Sequence, residues 1–243
     1  MRYIINFKLK ESKLPVDYHS IFVSFFKQCL SQHMDGEFFE EYYGIGRTKD
    51  ICWSVRLDSP SIGGKIITLG STNLEMTFVS PDPKAALVYF NACNDYKNKS
   101  HPLPLGNSLT LVNIKPQREI SINKNAMLIK FYSPLCLRVH NKEGNKDEYY
   151  SVKSPNFKEV LKDSIKRQCS KKLIPFVDEI MMDTRKLRKT VVPIYGQRIE
   201  VSLGEIVLIG EPKLLDDIVK RSIGSRKPSG FGLVTCLEQW EVS

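Results

Sequence analysis

Near the C-terminus the chain runs Ser222-Ile223-Gly224-Ser225-Arg226-Lys227-Pro228-Ser229-Gly230-Phe231-Gly232, with two cations set between three glycines. Glycine lets a backbone approach a ligand closely, and Arg226 and Lys227 stand where an anion would need charge. A phosphate backbone suits such a stretch, with Gly224, Ser225, Arg226, Lys227, Ser229, Gly230, Phe231 and Gly232 as its contacts. Glycine clusters also mark ordinary turns, and the terminal Gly-Lys-Ser/Thr of a nucleotide-binding P-loop is missing. A second basic feature precedes the stretch: Lys158, Lys162 and Lys166 recur every four residues, with Arg167 beside them and Lys171 and Lys172 beyond. On a helix the three lysines share a face, which either tracks a phosphate backbone or is simply solvated.

The elements that must position these groups follow from periodicity. Ile5, Phe7 and Leu9 share one face of a strand over residues 2–9. Asp17 is placed to cap a helix whose apolar face carries Ile21, Phe22, Phe25, Phe26, Cys29 and Leu30, with Lys27 off that face. A shorter helix through Phe38, Phe39, Tyr42 and Tyr43 ends at Gly44, so His33 sits in the connection between two helices. Alternation then predicts strands around Ile51–Leu57 and Leu74–Phe78, a helix from Pro83, and a strand through Leu109, Leu111 and Ile114.

Past the polar stretch Lys115-Pro116-Gln117-Arg118-Glu119 the alternation resumes at Met127, Ile129 and Phe131. A hairpin turned at 141–146, a helix over 156–168, a long hairpin around Tyr195-Gly196, a short helix with Leu214, Leu215, Ile218 and Val219, the glycine stretch and a last strand complete a second unit. The order predicts an α+β chain of two tandem ferredoxin-like (RRM-like) domains, residues 1–118 and 119–243, each an antiparallel sheet with helices on one face.

Composition sets the class of partner. With 243 residues, 42% hydrophobic and 26% charged, the chain reads as an ordinary globular protein, and 36 Lys and Arg against 27 Asp and Glu give a formal charge of +9 that favours a polyanion. The six cysteines are scattered, which excludes a local zinc ribbon or a redox Cys-x-x-Cys. Charges interrupt the first residues where a secretory segment needs an apolar run, and no stretch has transmembrane length, so a cytoplasmic protein without a membrane partner is expected.

The glycine stretch resembles the signature of the CRISPR-associated endoribonucleases that process pre-crRNA (the Cas six family of the RAMP superfamily). That signature is a hydrophobic residue flanked by glycines, five residues, then Gly-aromatic-Gly. Here Ser222 stands in place of the first glycine. The likeness extends over 134–165 and 190–235, through Ser133-Pro134-Leu135 and from Gly204 to Gly232.

It implies metal-independent cutting of CRISPR repeat RNA: a ribose 2′-hydroxyl attacks the adjacent phosphate, leaving a 2′,3′-cyclic phosphate and a 5′-hydroxyl, with no cofactor. It also implies an effector complex as recipient of the guide, with homodimerisation left open. A non-cleaving RNA-binding protein of the same fold is the alternative.

Such chemistry needs a base, an acid and cations around the phosphorane. The family places a catalytic histidine in this part of the chain, which makes His33 the first choice, because imidazole titrates near neutrality; the alternative is a plain surface histidine. Some relatives carry the histidine where this chain has Tyr42 and Tyr43, either of which can position the nucleophile, donate a proton or fill the core. Lys27 is a cation for the phosphate or a solvated lysine, and Arg47 and Lys49 are further candidates in a loop that reaches the same place. His19 is expected to serve as a cap-region or RNA-contacting residue, while His101 and His140 have no evident partner nearby in sequence. Glu37, Glu40 and Glu41 fall at helical spacing, but no Asp-x-Asp pair or His-rich set accompanies them, so no metal site is expected.

Overall fold

A computed structural model of the chain describes residues 1–44, 49–141 and 144–242. Arg47, and Lys142 and Glu143 of the expected turn, lie outside the described residues. The chain divides into two compact units, Met1–Arg118 with Pro193–Gly196, and Glu119–Val192 with Gln197–Ser243.

The first unit contains β1 (Arg2–Leu9), β2 (Lys13–Pro15), α1 (Tyr18–Gln32), a 3-10 turn (His33–Gly36), α2 (Phe39–Tyr43), β3 (Cys52–Arg56), β4 (Ser61–Gly63), β5 (Ile66–Thr68), β6 (Asn73–Val79), α3 (Pro83–Asp95), β7 (Ser100–Pro102) and β8 (Ser108–Gln117). Its main sheet has the order β3-β6-β1-β8-β7, and β2-β5-β4 form a small second sheet. β1 is antiparallel to both neighbours, with Ile5 opposite Met76 on one side and Ile114 on the other. Alternation buries Tyr3, Ile5, Phe7 and Leu9 against Phe22, Phe25 and Phe26 of α1. Phe7 meets Phe22 and Phe25 edge-on at 5.6 and 5.1 Å, an offset geometry that rings prefer to a face-to-face sandwich.

Asp17 precedes α1 but does not cap it with its side chain. Its carboxylate accepts from the Tyr195 amide at 3.0 Å instead, and burial raises its pKa. Asp82 does cap α3, accepting from the Lys84 amide at 2.9 Å, and Pro83 takes the first turn, where its missing N–H costs nothing.

The second unit contains β9 (Ala126–Phe131), β10 (Leu137–Asn141), β11 (Lys146–Tyr150), α4 (Phe157–Gln168), α5 (Ile174–Val177), β12 (Met181–Asp183), β13 (Leu187–Ile194), β14 (Gln197–Ile209), α6 (Pro212–Arg221) and β15 (Val234–Trp240). The sheet order is β12-β14-β9-β15, β13 pairs with β14, and β10-β11 stand apart as a hairpin. Met127, Ile129 and Phe131 of β9 pack with Phe157, Leu161 and Ile165 of α4 and with the apolar face of α6. Both units thus repeat the strand-helix-strand-strand-helix-strand order of a ferredoxin-like domain, with the first strand central.

Candidate active site and RNA-contact surface

In the first unit the apolar face of α1 fixes where its polar residues point. Phe22, Phe25, Phe26 and Cys29 go into the core, so Lys27 emerges from the other side of the helix. There its ammonium lies 5.4 Å from the centroid of the Tyr43 ring, and Lys49 reaches the same ring at 4.5 Å. A ring face attracts cations, but two ammonium groups over one phenol also repel each other. Desolvation, and then the charge of Lys27, lower the pKa of Lys49. Burial pushes the Tyr43 phenol far above its ordinary range, and the neighbouring Tyr89 hydroxyl offsets this only in part. At neutral pH this group offers cations and proton donors, and Tyr43 is no base.

The other expected catalytic residues go elsewhere. His33 lies in the connection between α1 and α2, but its ring turns inward: the side chain is 9% exposed, Nδ1 is 2.6 Å from Oδ2 of Asp95, and the ring stacks on Phe38. Tyr42 belongs to the core, edge-on to Tyr89 at 5.4 Å, and burial pushes its phenol up to about 12. His19 is no cap or surface contact, because it is buried between Tyr18, at 4.4 Å, and Trp53, at 5.8 Å. His101 is buried edge-on to Phe25, which lowers its pKa. Spacing placed these residues on the right elements, while packing decided which way each one faces.

The glycine stretch also has a geometry that sequence left open. The amides of Ser225 and Gly232 donate to the carbonyls of Cys136 and Pro134 at 2.7 and 2.9 Å, that of Ile223 to Gly232 at 3.1 Å, those of Ser229 and Gly230 to Arg226 and Lys227, and that of Leu233 to Oγ of Ser133. A Cβ on Gly232 would stand 1.8 Å from the Ile223 carbonyl oxygen, and one on Gly224 2.6 Å from that of Cys136. The close approach that these glycines permit is therefore to the chain itself. Expected phosphate contacts through the amides of Ser225, Ser229, Gly230 and Gly232 give way to these internal bonds, and Phe231 is buried.

Lys227 is buried as well, its ammonium donating at 3.0 Å to the carbonyl of Arg221 at the end of α6, where a helix dipole favours a cation. Arg226 differs: its guanidinium donates to the Tyr149 hydroxyl at 2.5 Å and lies 3.7 Å from Asp147, which also pairs with Arg138 and His140. One carboxylate faces two arginines and a histidine, and the group keeps a net positive charge.

A model of the CRISPR associated protein Cas6, C-terminal, matches residues 115–236. The chain belongs to the Cas6 family. No curated protein matches it. Among solved structures, the product of a Cas6-related gene from Pyrococcus furiosus is 15% identical, with a TM-score of 0.80 over 99% of each chain. A RAMP protein that binds different RNA substrates is 16% identical, with a TM-score of 0.78 over 98% of this chain and 100% of that one. A Cas6 product complex is also 16% identical, with a TM-score of 0.72 over 98% and 100%. At such identities the likeness is one of fold, the tandem ferredoxin-like arrangement.

Against the Cas6 signature, Ser222 now has a physical cost. It sits at φ 60° and ψ 176°, a region that belongs essentially to glycine, and its buried hydroxyl has no hydrogen-bond partner among the described residues. The basic face of α4 is partly engaged: Lys162 donates to the Asp178 carbonyl at 2.6 Å and Lys166 pairs with the Asp178 carboxylate at 2.6 Å, which raises the pKa of Lys166. Lys158 and Arg167 stay exposed. Among the described residues no group of three or more His, Cys, Asp or Glu side chains is arranged to hold a metal ion. No helix among them is long and apolar enough to cross a membrane.

Proposed function

We propose that this Cas6-family chain cuts CRISPR repeat RNA at a site built from Lys27, Tyr43 and Lys49. The observation that carries this reading is the convergence of two ammonium groups on one tyrosine ring, a charge arrangement that an RNA phosphate would relieve. The 2′-oxygen attacks phosphorus and the bond to the 5′-oxygen breaks. Lys49, as ammonium, gives its proton to the leaving 5′-oxygen, and Lys27 stabilises the charge on the phosphorane. The 2′-hydroxyl proton passes to solvent, since Tyr43 cannot accept it, and cutting is correspondingly slow. On the second unit, Arg226, Lys158 and Arg167 hold the phosphate backbone. The RNA-binding RAMP protein and the Cas6 product complex of the same fold support this choice of partner.

The test is incubation of a labelled repeat transcript with the protein in EDTA. The expected product ends in a 2′,3′-cyclic phosphate, a transcript with 2′-deoxyribose at the cut site stays whole, and Lys49→Ala slows cutting by about 10²- to 10⁴-fold. A Mg²⁺ requirement or cutting of the deoxy transcript would overturn it. The raised phenol of Tyr43 and the inward His33 favour a second reading, a Cas6-fold protein that binds repeat RNA without cutting it. Recovery of intact RNA from a saturated complex identifies that case.

A further inference from the structure

Between α1 and α2 the chain reverses through three successive left-handed residues, Met34 at φ 48°, Asp35 at φ 53° and Gly36 at φ 81°. Only glycine adopts that region without penalty, and Met34 is 59% exposed, so burial of its side chain does little to offset the strain. The side chain of this turn that points inward is His33. It reaches the last residue of α3 through the 2.6 Å bond to Asp95, and it stacks on Phe38, the residue before α2. The angle of this turn sets where α2, carrying Tyr43, stands against α1, carrying Lys27.

We infer that His33 is a positioning residue: the His33–Asp95 pair holds the left-handed reversal in the form that brings Tyr43 under Lys27 and Lys49. This rests on the reading of those three residues as the cutting site. It differs from a histidine that touches RNA, because it assigns an equal role to Asp95, whose carboxylate is 59% exposed and whose loss spares the core.

A double-mutant cycle on the full chain tests it, with His33→Ala, Asp95→Ala and the double variant assayed by single-turnover cutting at saturating protein. Each single change is expected to slow cutting by about 10²-fold with RNA affinity held within about twofold, the double to be no slower than either, and Asp95→Asn to restore most of the rate by still accepting from Nδ1–H. Additive losses, or a normal rate in Asp95→Ala beside a dead His33→Ala, would overturn the latch. Should His33→Ala fail to fold, Asp95→Ala against Asp95→Asn decides alone. A readout without cutting runs in parallel: in protein reductively methylated with ¹³C, the methyl signals of Lys27 and Lys49 are shifted by the Tyr43 ring current, and Asp95→Ala should abolish that shift. If the shift persists in Asp95→Ala, the latch is wrong. If it vanishes while Lys49→Ala cuts normally, the latch stands and the assignment of the cutting site fails.

Discussion

The ammonium of Lys49 rests 4.5 Å from the centre of the Tyr43 ring. Removing the hydroxyl and removing the ring are therefore different experiments. Tyr43→Phe keeps the cation-binding face and is expected to slow single-turnover cutting by less than about tenfold, whereas Tyr43→Leu should cost about 10²-fold. Equal losses in the two variants would show that the hydroxyl itself takes part.

The pKa of Lys49 is held down first by desolvation and then by Lys27. If its ammonium is the acid, the rate falls as pH rises through that lowered pKa. Lys27→Met removes one of the two causes, so the pKa climbs back toward its ordinary 10.5 and the alkaline fall in rate moves to higher pH. The pH–rate profiles of the two proteins between about pH 7 and 10.5 check the direction. A fall that moves to lower pH contradicts the assignment.

Two glycines of similar backbone angle separate strain from collision. Gly196 has φ +75° and open space where a Cβ would go, while Gly232 has φ +77° and a carbonyl oxygen 1.8 Å away. Urea unfolding should show Gly196→Ala destabilised by about 1 kcal/mol and Gly232→Ala by roughly 4 kcal/mol or more. Ser222→Gly relieves a glycine-only conformation and should raise stability by about 1 kcal/mol. A destabilised Ser222→Gly would mean that the buried hydroxyl is held by something that offsets the strain.

Arg226 and Lys227 are neighbours with different duties, one facing a cluster of net positive charge and the other bonded to the end of α6. In binding titrations with repeat RNA, Arg226→Ala should reduce the dependence of log K on log salt by about one unit. Lys227→Met should leave that slope unchanged and lower the melting temperature. A salt slope that falls in Lys227→Met would return Lys227 to the RNA surface.

Local pattern carried the elements further than it carried the site. The alternation of Ile5, Phe7 and Leu9, the Tyr195-Gly196 turn and the apolar face of α4 are all written within a few residues, and each appears where periodicity places it. Strands β2, β4 and β5 have three residues apiece, too few for a period to register. The orientation of His33 depends on Asp95, 62 residues away, and no local spacing contains that partner. Lys49 was legible as a loop cation able to reach the helix pair, but its place over Tyr43 comes from the fold. The glycines were legible as points of close approach. What approaches Gly224 is the Cys136 carbonyl, distant in sequence, and what approaches Gly232 is the Ile223 carbonyl, which the stretch reaches only by folding back on itself.

The bond from the Leu233 amide to the Ser133 hydroxyl spans one hundred residues, and β9 lies between two strands, β14 and β15, that both follow it in the chain. During synthesis β9 leaves the ribosome long before either partner exists. Both its edges stay open while the β10-β11 hairpin and α4 are made, and the edge toward β15 stays open longer still; such edges invite pairing with other chains. Pairing along β15 comes later than all of these, and because non-local strand pairing is slow, closing this sheet is the late step in the folding of the second unit. A gain of protease resistance in the second unit that lags the gain in the first would be the kinetic trace of that strand order.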